Sequence, residues 1–492
     1  MYIVLLLAIP LIASSLFWLV RKSGKIINII NAAASTLMLA VVFLIVKDVL
    51  ENGKVNPGLF GGIFLIDSFN ALVLLITTLV SFLISLYSIG YMKEDIRKNN
   101  MHFGSLKLFY SLLYLFIFTM VLTTVTQNIG VMWIAIEATT LSSAFLVGFH
   151  SNRKSIEAAW KYIMICSVGI AIALLGVILL YYSSVQTLGK SIQGLNWQFL
   201  YDNAGSLHPN ILKIAFIFVL LGFGTKVGLV PMHTWLPDAH SQAPSPVSAL
   251  LSGVLLNTAM YGIVRVMTIV NRNMGDSVFT GKLLIVLGLV SIGAAAVFIL
   301  VQQDFKRTLA YSSIEHMGII ALGFGISTTL SVFAALLHII NHSLTKSMLF
   351  AASGNVYLRY GTKKIAKIQG IMKTMPVTGT VFLLGLFAIT GMPPFSIFTS
   401  ELGITISAFK SSKYLAAGLL LLFLALIFAG ISFRMLKMFF GTPIKDHGEG
   451  ENDKLTPVVL VVFLILITVT GLFLPDPLNR LITSARDIIM NY

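Results

Sequence analysis

Residues 222–265 read GFGTKVGLVPMHTWLPDAHSQAPSPVSALLSGVLLNTAMYGIVR, and this stretch decides the fold. It sets the ammonium of Lys226 inside an apolar segment, interrupts that segment at Pro231, and reverses it through a proline-rich turn. A lysine near the middle of a bilayer costs roughly 2.5–3.5 kcal/mol on the mildest scales, so it needs a function or a partner. A broken helix bares backbone groups that lipid cannot satisfy, so the break must face protein or a hydrated cavity. Charge and break together point to an ion path.

The rest of the 492 residues supplies the setting. The hydrophobic fraction is 57% and the charged fraction 11%, with a mean hydropathy of +0.90. That composition excludes an ordinary soluble domain. Fourteen candidate helices are predicted, at about 2–20, 26–47, 66–90, 106–125, 129–149, 156–182, 211–230, 244–270, 282–302, 308–326, 330–358, 376–408, 414–439 and 455–475. Most have the length needed to cross about 30 Å of hydrocarbon. The first is read as a retained span rather than a cleaved signal. Residues after Leu474 form an amphipathic tail expected at the surface. Lone Cys166 excludes disulfides within the chain, Cys-ligated clusters and zinc sites.

The net charge of +15 is carried by short interhelical loops rather than one patch, which argues against nucleic acid as a partner. Lys and Arg crowd the loops after the first, third, fifth, eleventh and thirteenth spans, among them Arg21, Lys22, Arg97, Lys154, Lys363, Lys364 and Lys445. The positive-inside rule makes those loops cytoplasmic and puts both termini outside, in a cell membrane protein whose first partner is the lipid bilayer.

A second interruption, Gly391-Met392-Pro393-Pro394, lies about 165 residues after the first. Paired broken helices in matching places point to an inverted repeat. The expected organisation is an N-terminal region of three helices (1–105), two inverted five-helix sets (106–270 and 282–439), and a last helix with its tail (440–492). The competing reading is that the prolines merely kink two unrelated helices.

Six ionisable positions stand out. Glu137 lies in VMWIAIEATTLSSAF on the fifth helix, and Lys226 is the strong cation of the seventh. His338, His342 and Lys346 recur at four-residue steps in HIINHSLTK, one helix face rising about 12 Å. Glu401 follows the second break in IFTSELGI. A carboxylate, amines, imidazoles and a second carboxylate, bridged by water, are what proton or Na⁺ transfer through a membrane needs. Bland readings stand beside each: a static Glu137–Lys226 ion pair, interhelical hydrogen bonds by the histidines, or haem ligation, which two histidines on one face serve poorly. His233 and His240 in PMHTWLPDAH have a spacing that resembles a metal pair, but Asp238 and the two prolines point instead to a rigid, hydrogen-bonded turn. His316, in YSSIEHMG, is an accessory candidate, with Glu315 beside it near an interface. Glu157 and Lys161 are spaced to pair along one helix. No redox cofactor or metal site is expected in this chain.

The motifs KVGLVPMHTWLPDAHSQAPSPVSALLSG, YSSIEHMG and HSLTKSMLF carry a family resemblance. The chain resembles the antiporter-like membrane subunits of respiratory complex I, of cation/proton antiporters and of membrane-bound hydrogenases. The runs WIAIEATTLSSAFLVGF and EAAWKYIMICSVGIAIALLGVILLYY are most similar to the hydrogenase-4 component F type. The resemblance implies an essential pair at Glu137 and Lys226, a central lysine at Lys346 and a terminal group at Glu401. It also implies membrane partners and a cytoplasmic redox arm, with Fe–S clusters and a NiFe centre held only by those partners. One departure is Asn257, in LLNTAMYG, where several relatives carry a lysine. An amide orients water but cannot hold a proton.

Overall fold

A computed structural model describes residues 2–21, 23–98, 102–443 and 448–492, so Lys22 and Lys445 lie outside the described residues. The chain is all-α and polytopic. The first half contains α1 (Tyr2–Leu19), α2 (Gly24–Asn52), α3 (Ser68–Lys98), α4 (Phe103–Val125), α5 (Ile129–Val147) and α6 (Arg153–Leu188). Then come α7 (Trp197–Asp202), α8 (Pro209–Val227), α9 (Trp235–Gln242), α10 (Ser245–Leu250) and α11 (Leu256–Met274). The second half contains α12 (Val278–Val301), α13 (Phe305–Ile326), α14 (Thr329–Tyr360), α15 (Ile371–Thr374), α16 (Pro376–Ile389) and α17 (Ser396–Lys410). It closes with α18 (Tyr414–Phe439), α19 (Leu455–Leu472) and α20 (Asp476–Met490).

Among the described residues, 12 helices are long and apolar enough to cross a membrane. Two expected spans stand outside that set. The interior of α14 is too polar, because it carries His338, His342 and Lys346, and the span over 376–408 is divided into α16 and α17. Local chemistry sets the boundaries: Asn152 and Ser155 form a capping box that starts α6, and Thr328 and Ser331 form one that starts α14. The long loop expected at 183–210 is partly helical, since it contains α7.

Both breaks fall where the prolines put them. α8 ends at Gly228, with a left-handed φ of 83°, and α16 ends just before Gly391, with φ 71°. Packing order repeats between the halves: α4 on α5, α5 on α6 and α6 on α8, then α12 on α13, α13 on α14 and α14 on α17. Small residues let the backbones close in. A methyl group at Gly288 would lie 2.7 Å from the Gly318 carbonyl, and one at Gly222 would lie 2.4 Å from the Ala173 nitrogen.

Three helices occupy the middle. The continuous Ser245–Met274 span, α13 and the core of α14 are enclosed by the others, so their polar residues meet protein rather than lipid. Residues 251–255 form a single π-helical turn that ends two residues before Asn257. The tail folds as α20, whose Leu481, Ile482, Ala485 and Ile489 pack on α3 and α14, so its apolar face covers the bundle.

Candidate functional site

Lys226 is wholly buried one residue before the end of α8. Its Nζ donates to Tyr162 OH at 2.5 Å and to Thr140 Oγ1 at 2.9 Å. It also lies 4.6 Å from the centre of the Tyr162 ring. Glu137, half-buried on α5, accepts from Ser167 Oγ at 2.7 Å and from Thr140 Oγ1 at 3.2 Å. The expected Glu137–Lys226 ion pair is therefore indirect. Among the described residues the two charges make no salt bridge; a threonine hydroxyl stands between them.

The Thr225 carbonyl, in the last turn of α8, takes two donors, the Gly228 amide at 3.2 Å and a side chain. Trp235 Nε1 donates to the Thr225 oxygen at 2.9 Å, and the Trp235 ring sits 4.7 Å from Tyr162 and 6.4 Å from His240. His240 then stacks on Phe350 of α14 at 5.1 Å. Tyr162, Trp235, His240 and Phe350 thus form an aromatic bridge from the Lys226 side to the α14 side.

The second half holds the denser cluster. Lys346 Nζ donates to the Leu309 carbonyl at 2.9 Å. Glu315 is buried on α13 within Coulombic reach of Lys346 and Glu401, and no described residue hydrogen-bonds either of its carboxylate oxygens. The expectation that Glu315 lies near an interface is corrected: its side chain points into the bundle. His316 Nδ1 is 3.0 Å from His338 Nε2, and its ring centre is 5.5 Å from that of His342. His316 Nε2 meets the Ile389 carbonyl at 3.1 Å, the last residue of α16 and so a group that the second break leaves free. His338 Nδ1 meets Ser400 Oγ at 2.9 Å, and Glu401 Oε1 lies 3.9 Å from His316 Nδ1.

The shared face of His338, His342 and Lys346 is therefore real, with His316 of the neighbouring helix packed against it. Several buried atoms along this line have no protein partner among the described residues: both ring nitrogens of His240 and of His342, Asn257 Oδ1 and Glu401 Oε1. Buried polar atoms require partners, and a file of such atoms is a route water can follow. Asn257 itself donates to Ser343 Oγ at 2.8 Å and to the Gly253 carbonyl at 3.0 Å.

The turn residues disperse instead of forming one hydrogen-bonded unit. His233 sits beside Phe298, with ring centres 6.1 Å apart. Asp238 joins a polar cluster, 3.3 Å from Lys161 and 2.9 Å from Arg307, where Lys161 also pairs with Glu157 at 2.6 Å. Beside it a cavity of about 250 Å³ is lined by His150, Gln242, Lys306 and Lys363. Burial lowers the Lys363 ammonium from its ordinary value and raises the Asp304 carboxyl.

This fold, with buried charges strung between two broken helices, defines an antiporter-like membrane protein. The family described as NADH:quinone oxidoreductase/Mrp antiporter, TM, matches residues 126–428, and the one described as NADH-Ubiquinone oxidoreductase (complex I), chain 5 N-terminus, matches residues 63–100. The chain belongs to this NADH:quinone oxidoreductase/Mrp antiporter family. A hydrogenase-4 component F homolog of Methylacidiphilum infernorum is 39% identical over 84% of this chain and 86% of its own length. Hydrogenase-4 component B of Escherichia coli is 30% identical over 82% of this chain and 60% of its own. A polypeptide in the structure of the membrane-bound sulfane sulfur reductase, an archaeal respiratory membrane complex, superposes with a TM-score of 0.86 at 26% identity, covering 99% of this chain and 97% of that one. A component of the Mrp complex from Dietzia shares the fold, with a TM-score of 0.87, 19% identity, and coverage of 99% of this chain and 97% of its own.

Proposed function

We propose that this chain is the ion-translocating membrane subunit of a group 4 membrane-bound NiFe-hydrogenase, coupling electron transfer in partner subunits to proton movement. The observation that carries the reading is the polar line from Glu137 through Thr140 to Lys226, and from His240 to Lys346, Glu315, His316, His338 and Glu401. Two inverted five-helix sets, 106–270 and 282–439, supply its two halves. The Fe–S clusters and NiFe centre belong to a cytoplasmic arm, and this chain holds neither. It spans the cell membrane with its lysine-rich loops in the cytoplasm and both termini outside.

In this mechanism Lys226 is the switch. A change in the partner arm separates the Lys226 ammonium from Glu137, and the proton passes by way of water and His240 toward Lys346. Arrival of charge at Lys346 and Glu401 then drives an ion outward, because like charges along the row repel strongly where the dielectric is low. The test is Lys226→Met or Glu137→Gln in the reconstituted complex. Loss of proton uptake with hydrogen evolution retained supports the coupling; normal pumping in both variants rejects it.

A second reading has an observation behind it. A component of the Na(+)/H(+) antiporter of Alkalihalophilus pseudofirmus is 25% identical over 99% of this chain. Such an antiporter would exchange Na⁺ for protons in vesicles without an electron donor, and a complex I-like position would co-purify with iron and flavin but no nickel. Asn257 favours a third reading, a membrane anchor that moves no ion, against which the buried charges argue.

A further inference from the structure

The second-half cluster can do something besides relay protons. The lone cysteine speaks only to sulfur ligation, whereas His316, His338 and Glu401 each present one ligand atom, all within 4.8 Å of one another. The separations are 3.0 Å from His316 Nδ1 to His338 Nε2 and 3.9 Å from His316 Nδ1 to Glu401 Oε1. Tetrahedral ligands on a zinc-sized ion at 2.0–2.1 Å stand about 3.4 Å apart, between those two values.

The surroundings suit ligation. A carbonyl can only accept, so the contact with the Ile389 oxygen places a proton on His316 Nε2 and leaves its Nδ1 lone pair aimed at the cluster. Ser400 Oγ donates its proton to the Ile397 carbonyl at 2.9 Å and so accepts from His338 Nδ1, which leaves the Nε2 lone pair toward the cluster. Metal-binding imidazoles are held this way, with the far nitrogen tied to a carbonyl or hydroxyl. Glu401 Oε1 is buried, faces His316 and has no hydrogen-bond partner among the described residues. Glu315 lies within Coulombic reach of Glu401 as well as of Lys346, so a cation held by Glu401 would have a second carboxyl nearby. At the α16–α17 break Glu401 packs on Gly391, which is partly exposed.

We propose that His316, His338 and Glu401 form a binding site for a divalent transition metal that accepts nitrogen and oxygen ligands, as Zn²⁺ and Co²⁺ do, and that its occupancy blocks the ion path. The site is built by the helix break and needs no other polypeptide.

The test uses the purified full-length chain in detergent, titrated with CoCl₂ and then displaced by ZnCl₂. The expected result is one Co²⁺ per chain with the intense visible bands of low coordination. Binding should weaken about tenfold or more in His338→Gln and in Glu401→Gln. It should be unchanged in His208→Ala, on the surface at the start of α8. Elution as monodisperse protein shows that each variant is folded. Only a pale six-coordinate spectrum, or equal affinity in all four proteins, overturns the site. Because the readout needs no redox partner, failure here leaves the proposed function standing.

Discussion

Lys226 and Glu137 share a hydroxyl rather than a salt bridge: Thr140 Oγ1 accepts from Lys226 Nζ at 2.9 Å and donates to Glu137 Oε2 at 3.2 Å. A direct buried ion pair is hard to separate, since breaking one leaves an uncompensated charge. A bridged pair can part by rotation of one hydroxyl. That relationship makes Thr140 the element by which the two charges sense each other.

Thr140→Val keeps the shape and removes the bridge. Hydrogen bonds to charged groups contribute roughly 1.5–3 kcal/mol, so coupled proton uptake by the reconstituted complex should fall about tenfold or more. Thr140→Ser should retain it. Equal pumping in Val and Ser variants would show that the pair communicates by another route.

Glu315 is the acid that faces Lys346 from α13. Glu315→Gln should cut proton translocation as severely as Lys346→Met, because either change leaves one buried charge without its counterpart. Uptake of a pH-sensitive dye into proteoliposomes measures both. Full activity in Glu315→Gln would reduce this residue to packing.

The sequence made the charges legible and the connections illegible. Glu137, Lys226, Lys346 and Glu401 stand out because an ionised side chain in an apolar run has a large cost to explain. The four-residue step of His338, His342 and Lys346 was legible from helical period alone. Thr140, Tyr162 and Ser400 were not, since a hydroxyl in an apolar helix can bond its own backbone and carries no such signal. Glu315 was misplaced for a different reason: its orientation depends on how α13 docks on α14, which is a tertiary fact. The breaks were readable from proline and glycine, but not that the carbonyls beside them, Thr225 and Ile389, would hold Trp235 and His316.

Asp304 separates capping from charge at the start of α13. Its Oδ1 accepts from the Arg307 amide at 3.0 Å and so caps α13, while burial raises its pKa above the ordinary value. A raised folded pKa means that the native state binds this proton more tightly than the unfolded chain does. Stability from this group is therefore present in acid and lost as pH rises through the carboxylate range. Asp304→Asn keeps the cap and removes that loss, so it should unfold at an equal or higher temperature at neutral pH, with the gain vanishing in acid. Asp304→Ala loses the cap and should cost about 1 kcal/mol. Thermal unfolding in detergent across that range checks both.

Gly391 and Gly228 each sit at a helix break and should respond differently to alanine. Both have left-handed φ values, 71° and 83°, so either substitution introduces backbone strain of about 1 kcal/mol or more. At Gly228 the added methyl would meet the end of Leu236, a side chain able to turn away. At Gly391 it would meet Glu401 Oε2, and Glu401 cannot retreat without leaving His316. Gly228→Ala should therefore lower thermal stability while leaving ion translocation per folded complex near normal. Gly391→Ala should lower both, with translocation falling well beyond the loss of folded protein. Equal losses of translocation in the two variants would mean that the position of Glu401 beside His316 does not matter to ion movement.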